Sequence, residues 1–156
     1  MPDDLYERDI LSWSEQQAAL LRRVARGERV NGVDWTHVVE EIEDLGLSEL
    51  TAVNSHLRLM LVHLLKMTAW PENTAVRHLR EEVAAFQAAA AQRFVPSMRQ
   101  RIDLNRVYVQ AIKQLRRSDF DQPMSDWPAE CPVGLDVLLD GDVVDMTDAF
   151  AAPITP

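Results

Sequence analysis

Apolar residues recur at steps of three and four along most of the chain, which is the pattern of helices that bury one face. The first such stripe predicts a helix over about residues 4–26, followed by a loop with Gly27 and Gly32. The next predicts a helix that begins at Asp34, a good N-cap, and ends at Gly46. The residues expected to point inward from this second helix are Trp35, Val38, Val39, Ile42 and Leu45.

Three further periodic segments predict long helices over about residues 48–70, 73–96 and 97–117. The stretch 59–65 is apolar nearly all round. A helix of that kind is either central in a bundle or covered by a second subunit.

The remaining chain predicts one short helix over residues 135–139, with Pro132 just ahead of it. The fold class is therefore expected to be all-α, a bundle of four to five main helices with a short C-terminal helix and an acidic tail. We expect a single domain over residues 1–140. Residues 141–156 lack a periodic pattern and are expected to form a frayed, acidic tail.

The net charge of −9 is unevenly placed along the 156 residues. Residues 1–117 carry equal numbers of acidic and basic side chains, whereas residues 118–156 carry nine acidic and no basic ones. A single cysteine, the lack of a secretory leader and the lack of a long apolar run favour a cytoplasmic protein without a membrane partner.

Four basic residues fall on one stripe of the predicted fifth helix, namely Arg99, Arg106, Lys113 and Arg117. Such a stripe could bind phosphate or nucleic acid. No aromatic residues interleave with it, however, and an anionic protein repels a polyanion, which argues against nucleic acid. We therefore hypothesise that the acidic segment after this helix docks on the stripe, which truncation after residue 118 would test.

Candidate metal ligands on the predicted second and third helices are His37, Glu41, His56 and His63. Imidazoles and carboxylates on facing helices form the metal sites of helical bundles. Helical phase weakens this hypothesis, because His37 falls far from the apolar face and is expected to point into solvent. His63 is expected to be a core histidine, held by a backbone carbonyl or by a carboxylate such as Glu41.

Cys131 precedes Pro132 at the start of the short helix, where a thiol could have a lowered pKa or could ligate haem. The favoured interpretation is a structural thiol that packs against that helix. The chain lacks the phosphate-binding glycine loop, the Gly-x-Ser-x-Gly elbow, paired CxxC and HExxH. No catalytic residue and no cofactor are predicted.

Several segments, in this order, resemble one bacterial family. They are Tyr6-Glu7-Arg8-Asp9 with Trp13, Asp34-Trp35 followed by residues 39–46, His63-Leu64-Leu65-Lys66, and Cys131-Pro132 ahead of Leu138-Leu139-Asp140. Together they resemble the family called domain of unknown function 29. The resemblance implies an all-helical fold and brings no established activity. One departure is Val133-Gly134, where members often have a bulkier aromatic residue.

Two functional hypotheses remain open. The favoured one is a non-enzymatic helical interaction module that forms a homodimer or binds another protein, because stretch 59–65 is apolar and catalytic motifs are absent. The alternative is a metal-binding helical-bundle protein or enzyme with histidine and glutamate ligands.

Overall fold

The computed structural model describes residues 2–71, 74–118 and 127–151. Its helices are α1 (Pro2–Arg8), α2 (Ile10–Ala25), α3 (Trp35–Ala69), α4 (Val76–Arg93), α5 (Leu104–Arg117), α6 (Leu135–Asp140) and α7 (Val143–Ala151). These ranges contain no strand, so the all-α prediction is confirmed. None of their helices combines the length and the apolar character needed to cross a membrane.

Asp9 divides the predicted first helix into α1 and α2. Its carboxylate accepts hydrogen bonds from the backbone N–H of Ser12 at 3.0 Å and from the Ser12 hydroxyl at 2.7 Å. A side chain in this position caps amides that have no partner within the helix. The loop after α2 contains Gly27 and Gly32, both with positive φ, as the sequence predicts for a glycine-bracketed turn.

α3 continues without a break through Gly46, although the sequence predicts that one helix ends there and the next begins at residue 48. The prediction of two separate helices is therefore wrong. A glycine within a helix costs only about 1 kcal/mol relative to alanine, which packing elsewhere along a long helix can outweigh. Nothing lies within 4 Å of the position that a Cβ of residue 46 would occupy.

The chain divides into two compact units, Met1–Ser48 and Glu49–Pro156. The first contains α1, α2 and the N-terminal part of α3. The second contains the rest of α3 and the helices that follow. The single domain expected over residues 1–140 stays a prediction.

The hydrophobic core belongs to the second unit, and α3 is its centre. Leu57, Met60, Leu61, Leu64 and Leu65 are completely buried on this helix. Side chains of α4, α5, α6 and α7 pack around them, including Val83, Tyr108, Leu138 and Met146. Most of the apolar stretch 59–65 is therefore covered by the second unit itself, without a second subunit.

The C-terminal half contains two departures from the predicted elements. α5 begins at Leu104 rather than near residue 97, because Pro96–Met98 form a short 3₁₀ turn and Asp103 caps α5. The frayed tail predicted from residue 141 is wrong for Val143–Ala151, which form α7 and bury Met146 and Phe150. Two helical turns are too short to show a clear period in the sequence.

α6 agrees with the predicted short helix within one residue. Some predictions lie outside the described residues: the start of the fourth helix at Asn73, the tail residues 152–156, and Asp119, Asp121 and Asp126 of the acidic segment.

Candidate interaction surface

Polar and aromatic contacts hold the helices of the first unit together. Trp13 and Val38 are the buried hydrophobic side chains in its described part. The Trp13 indole N–H donates to Asp34 Oδ2 at 3.1 Å, and the Asp34 backbone N–H donates to Gln17 Oε1 at 2.8 Å. These bonds join α2 to the residue that precedes α3.

The Asp34 carboxylate is also bonded to His37, whose Nδ1 lies 2.6 Å from Oδ2. The hydrogen bonds to this carboxylate, that from the His37 ring above all, hold the pKa of Asp34 below its ordinary value of 3.8. The His37 ring stacks on Tyr6, with ring centroids 3.9 Å apart. The Tyr6 hydroxyl donates to Glu41 Oε1 at 2.6 Å, and this bond is the main cause that raises the pKa of Tyr6 to about 12.

The prediction that His37 points into solvent is wrong, since its side chain is only 20% exposed. The physical reason lies in which side of α3 is covered. Residues of α1 and α2 contact the side that carries His37 and Glu41, with their polar groups paired to one another. Helical phase locates the apolar side of this helix correctly but cannot decide which side the neighbours cover.

The apolar side of α3 is exposed along the first unit. Trp35, Val39, Ile42 and Leu45 follow one another at steps of four, three and three, with exposed fractions of 55%, 50%, 66% and 68%. We call these four residues the α3 face. The sequence predicts that these residues point inward. In the single chain they are exposed, so that prediction is wrong. Adjacent exposed apolar side chains are typical of a surface that binds a partner.

Opposite charges lie at the two ends of the α3 face. Gln17 of α2 meets Asp34 and Tyr6 of α1 meets Glu41, so the chain from α1 into α2 runs antiparallel to α3. Residues 22–29, with four arginines and one glutamate, form the last turn of α2 and the start of the loop that leads to Trp35. Glu28 pairs with Arg23 and Arg26, which leaves a net positive charge in this segment. At the other end, residues 40–44 contain four acids and no base. The surface is thus polarised along the helix axis.

His63 is held as the sequence predicts, by the Leu59 carbonyl oxygen, which lies 2.7 Å from its Nδ1. The carboxylate on its other side is Glu82 rather than Glu41, with Glu82 Oε2 at 2.8 Å from His63 Nε2. The same carboxylate lies 3.4 Å from His78 Nε2. Glu82 belongs to α4, so neither sequence spacing nor helical phase could have identified it.

The four candidate metal ligands occupy different surroundings. His37 and Glu41 lie in the first unit and are bonded to Asp34 and Tyr6, whereas His56 and His63 lie in the second. Among the residues that the structure describes, no three histidine, cysteine, aspartate or glutamate side chains form a group that could hold a metal ion. Metal binding through these residues stays a prediction.

The predicted basic stripe is divided, because α5 begins after Arg99. Arg99 binds Asp136 of α6 at 2.7 Å, and this ion pair raises the pKa of Arg99 and lowers that of Asp136. One acid of the C-terminal quarter thus contacts the stripe, while docking of the whole segment stays a prediction. Arg106, Lys113 and Arg117 form no ion pair with any described residue.

Cys131 has the surroundings of a structural thiol. Burial raises its pKa, which is opposite to the lowered pKa considered from its position before Pro132. Its backbone N–H donates to Asn105 Oδ1 at 3.0 Å, and the Tyr108 hydroxyl donates to the Pro128 carbonyl oxygen at 2.8 Å. Both bonds attach the segment before α6 to α5.

The family model described as Domain of unknown function DUF29 matches residues 5–144. The chain belongs to this DUF29 family. The resemblance inferred from the sequence motifs is therefore confirmed, and membership of DUF29 leaves the function open.

A crystal structure agrees with this assignment of the fold. An alpha-helical protein of unknown function from Rhodospirillum rubrum is 27% identical to this DUF29 chain, with a TM-score of 0.72. The similarity covers 94% of this chain and 98% of that one. Among curated proteins, none matches the chain.

Proposed function

We propose that this DUF29 chain is a non-enzymatic interaction module that pairs with a second copy of itself through the α3 face. The exposure of Trp35, Val39, Ile42 and Leu45 carries this proposal. Full burial of one large apolar side chain contributes about 1.5–3 kcal/mol, so four that are at least half exposed offer several kcal/mol to an interface.

The small interior of the first unit supports the same proposal. Only Trp13 and Val38 are buried hydrophobic residues in its described part. Units of this size bury a smaller fraction of their surface than larger domains do and are marginally stable by themselves. Burial of the α3 face against another chain supplies the apolar contact that α1 and α2 do not provide.

The charges at the ends of the α3 face favour a second copy as the partner. In a two-fold symmetric pair, one surface patch must complement itself. An antiparallel pair with its axis near Val39 brings the arginine-rich residues 22–29 of one copy towards the acidic residues 40–44 of the other. A partner of uniform charge would be attracted at one end and repelled at the other.

Light scattering after size-exclusion chromatography, over a range of protein concentrations, tests the proposal. We expect a mass of twice 17.7 kDa at the higher concentrations. We expect Val39→Glu to be monomeric, because the interface would have to bury an unpaired carboxylate. Val144→Glu is the matched control, since Val144 lies in α7 with an exposed fraction of 47% against 50% for Val39.

Two results would overturn the proposal. One is a monomer mass at every concentration for the unmodified chain. The other is a dimer that Val39→Glu leaves intact, which would place the interface elsewhere. If the chain stays monomeric and a different protein binds the α3 face, the proposal is likewise overturned.

A further inference from the structure

A groove lined by several positively charged side chains lies between α3 and α5 in the second unit. Two adjoining cavities of about 290 Å³ and 570 Å³ form it, and both are lined by Arg58 and Gln110. Five basic side chains line the two cavities: Arg58, Arg101, Arg106, Lys113 and Arg117. We call this the α3–α5 groove. Its volume is in the range of small-molecule sites.

The residues that the structure describes provide little negative charge to balance these side chains. None of the five forms an ion pair with a residue that the structure describes. Asp103 is the acidic residue in the walls, and one of its carboxylate oxygens already caps α5 through the Arg106 backbone N–H at 3.0 Å. Gathering like charges without a counter-charge is unfavourable, and an anion in the groove removes this cost.

Arg58 gives a second and independent indication of a ligand. Its Nε is buried and has no hydrogen-bond partner within the described residues. A buried donor without an acceptor costs free energy, more so when it belongs to a charged group. Arginine presents its N–H groups in a planar fork that matches phosphate oxygens. An anion that contacts Arg58 therefore satisfies both its charge and its hydrogen-bonding capacity.

The neutral side chains of the groove favour a ligand with hydroxyl groups over a ligand with a nucleobase. Thr51, Asn54, Ser55 and Gln110 line the smaller cavity, and they supply hydroxyls and amides that both donate and accept. Asn54 Oδ1 is buried and likewise has no partner among the described residues. No aromatic side chain is among the described residues that line either cavity, so a base would have no stacking partner.

We propose that the α3–α5 groove binds a small polyol that carries two phosphate groups. Arg106 and Lys113 are seven residues apart on α5, or about 10 Å along the helix, which separates the cations into two groups. One phosphate lies beside Arg101 and Arg106. The other lies beside Lys113 and Arg117, with Arg58 between the two.

Isothermal titration calorimetry with fructose 1,6-bisphosphate tests this proposal, with inorganic phosphate as the comparison at equal ionic strength. We expect the bisphosphate to bind about tenfold tighter or more, since it makes a second set of charge-assisted hydrogen bonds. We expect Arg58→Gln and Lys113→Gln each to weaken binding of the bisphosphate about tenfold. Added salt should weaken binding to the unmodified protein.

Arg77→Gln is the matched control, because it also removes one positive charge but at a side chain of α4 that is 92% exposed. We expect it to leave the affinity unchanged. Lys113 is exposed on α5, so its substitution keeps the experiment informative even where Arg58→Gln impairs folding, which circular dichroism would detect.

The proposal is wrong if the bisphosphate binds no tighter than inorganic phosphate, or if Arg77→Gln and Lys113→Gln weaken it equally. It is also wrong if a short single-stranded RNA binds more tightly than the bisphosphate and loses that affinity in Lys113→Gln. That outcome would assign the groove to nucleic acid.

Discussion

α3 passes through both units, and its apolar residues have different surroundings in each. Between Val53 and Met67 they are largely buried in a core formed by five helices, whereas the α3 face in the first unit is exposed. In the first unit the neighbouring helices instead contact the side of α3 that carries His37 and Glu41. One amphipathic helix thus buries its apolar side in an internal core over one part and leaves it exposed over another.

The largest expected effect is the difference in unfolding free energy between substitutions in the buried and the exposed parts of α3. Leu61→Ala should lower the free energy of unfolding by about 2–5 kcal/mol, because Leu61 is completely buried and its truncation leaves a cavity. Leu45→Ala is the matched substitution on the same helix and, in the monomer, should change it by less than about 0.5 kcal/mol. Urea denaturation at low protein concentration measures both. Equal losses would contradict the distinction between core and surface.

A smaller effect is expected from the polar contacts of the first unit. Asp34→Ala leaves the Trp13 indole and the His37 ring without their acceptor, and should destabilise the first unit by about 1–3 kcal/mol near neutral pH. Amide hydrogen exchange of α2, measured by mass spectrometry, reports this loss. Exchange within the buried part of α3 in the second unit serves as the internal control.

The same substitution carries a pH dependence. The folded protein holds the pKa of Asp34 below 3.8, so the unfolded chain takes up the proton first as the pH falls. The contribution of the carboxylate is therefore complete above the ordinary pKa and is lost as the pH falls through the lowered one. The difference between the unmodified chain and Asp34→Ala should shrink over that interval. A difference that stays constant would show that the charge of Asp34 is not involved.

The smallest effect concerns the point where α3 passes from one unit towards the other. Gly46→Ala should raise the free energy of unfolding by up to about 1 kcal/mol, because alanine favours the helix and nothing lies within 4 Å of its added methyl group. Thermal unfolding measures the change. Gly141→Ala is the opposing control, since a Cβ there would lie 2.4 Å from the Val137 carbonyl oxygen and should be destabilising. A loss of stability in Gly46→Ala would show that α3 needs glycine at this position.

Periodicity predicts most of the helical segments, and local chemistry explains where it missed an element or misplaced an end. Asp9 lies three residues before Ser12, whose N–H it caps, so attention to capping could have revealed the break between α1 and α2. Gly46 is a plausible stop by local preference, but tertiary context overrides a penalty of about 1 kcal/mol. α7 covers only nine residues, which is too few for a clear period.

The residues of the candidate sites were harder to predict from the sequence than the helices, because helix packing decides which side chains meet. Glu82 meets His63, and Arg58 joins the cations of α5, only once separate helices pack together. Arg58 could have drawn attention, since it is a charged residue directly beside the apolar stretch 59–65. The exposure of the α3 face could not be predicted, because an amphipathic pattern is the same whether its apolar side meets the same chain or another one.

The uninterrupted course of α3 also bears on how the molecule comes apart. The boundary between the units falls at Ser48, two residues after Gly46 and within the helix rather than in a loop. Unwinding that starts at the Trp35 end meets little apolar packing until it reaches the buried Val53. We therefore expect a partly unfolded state in which the first 48 residues are open to proteases while the core remains closed. Pairing through the α3 face would suppress that state, so association would also lengthen the lifetime of the protein.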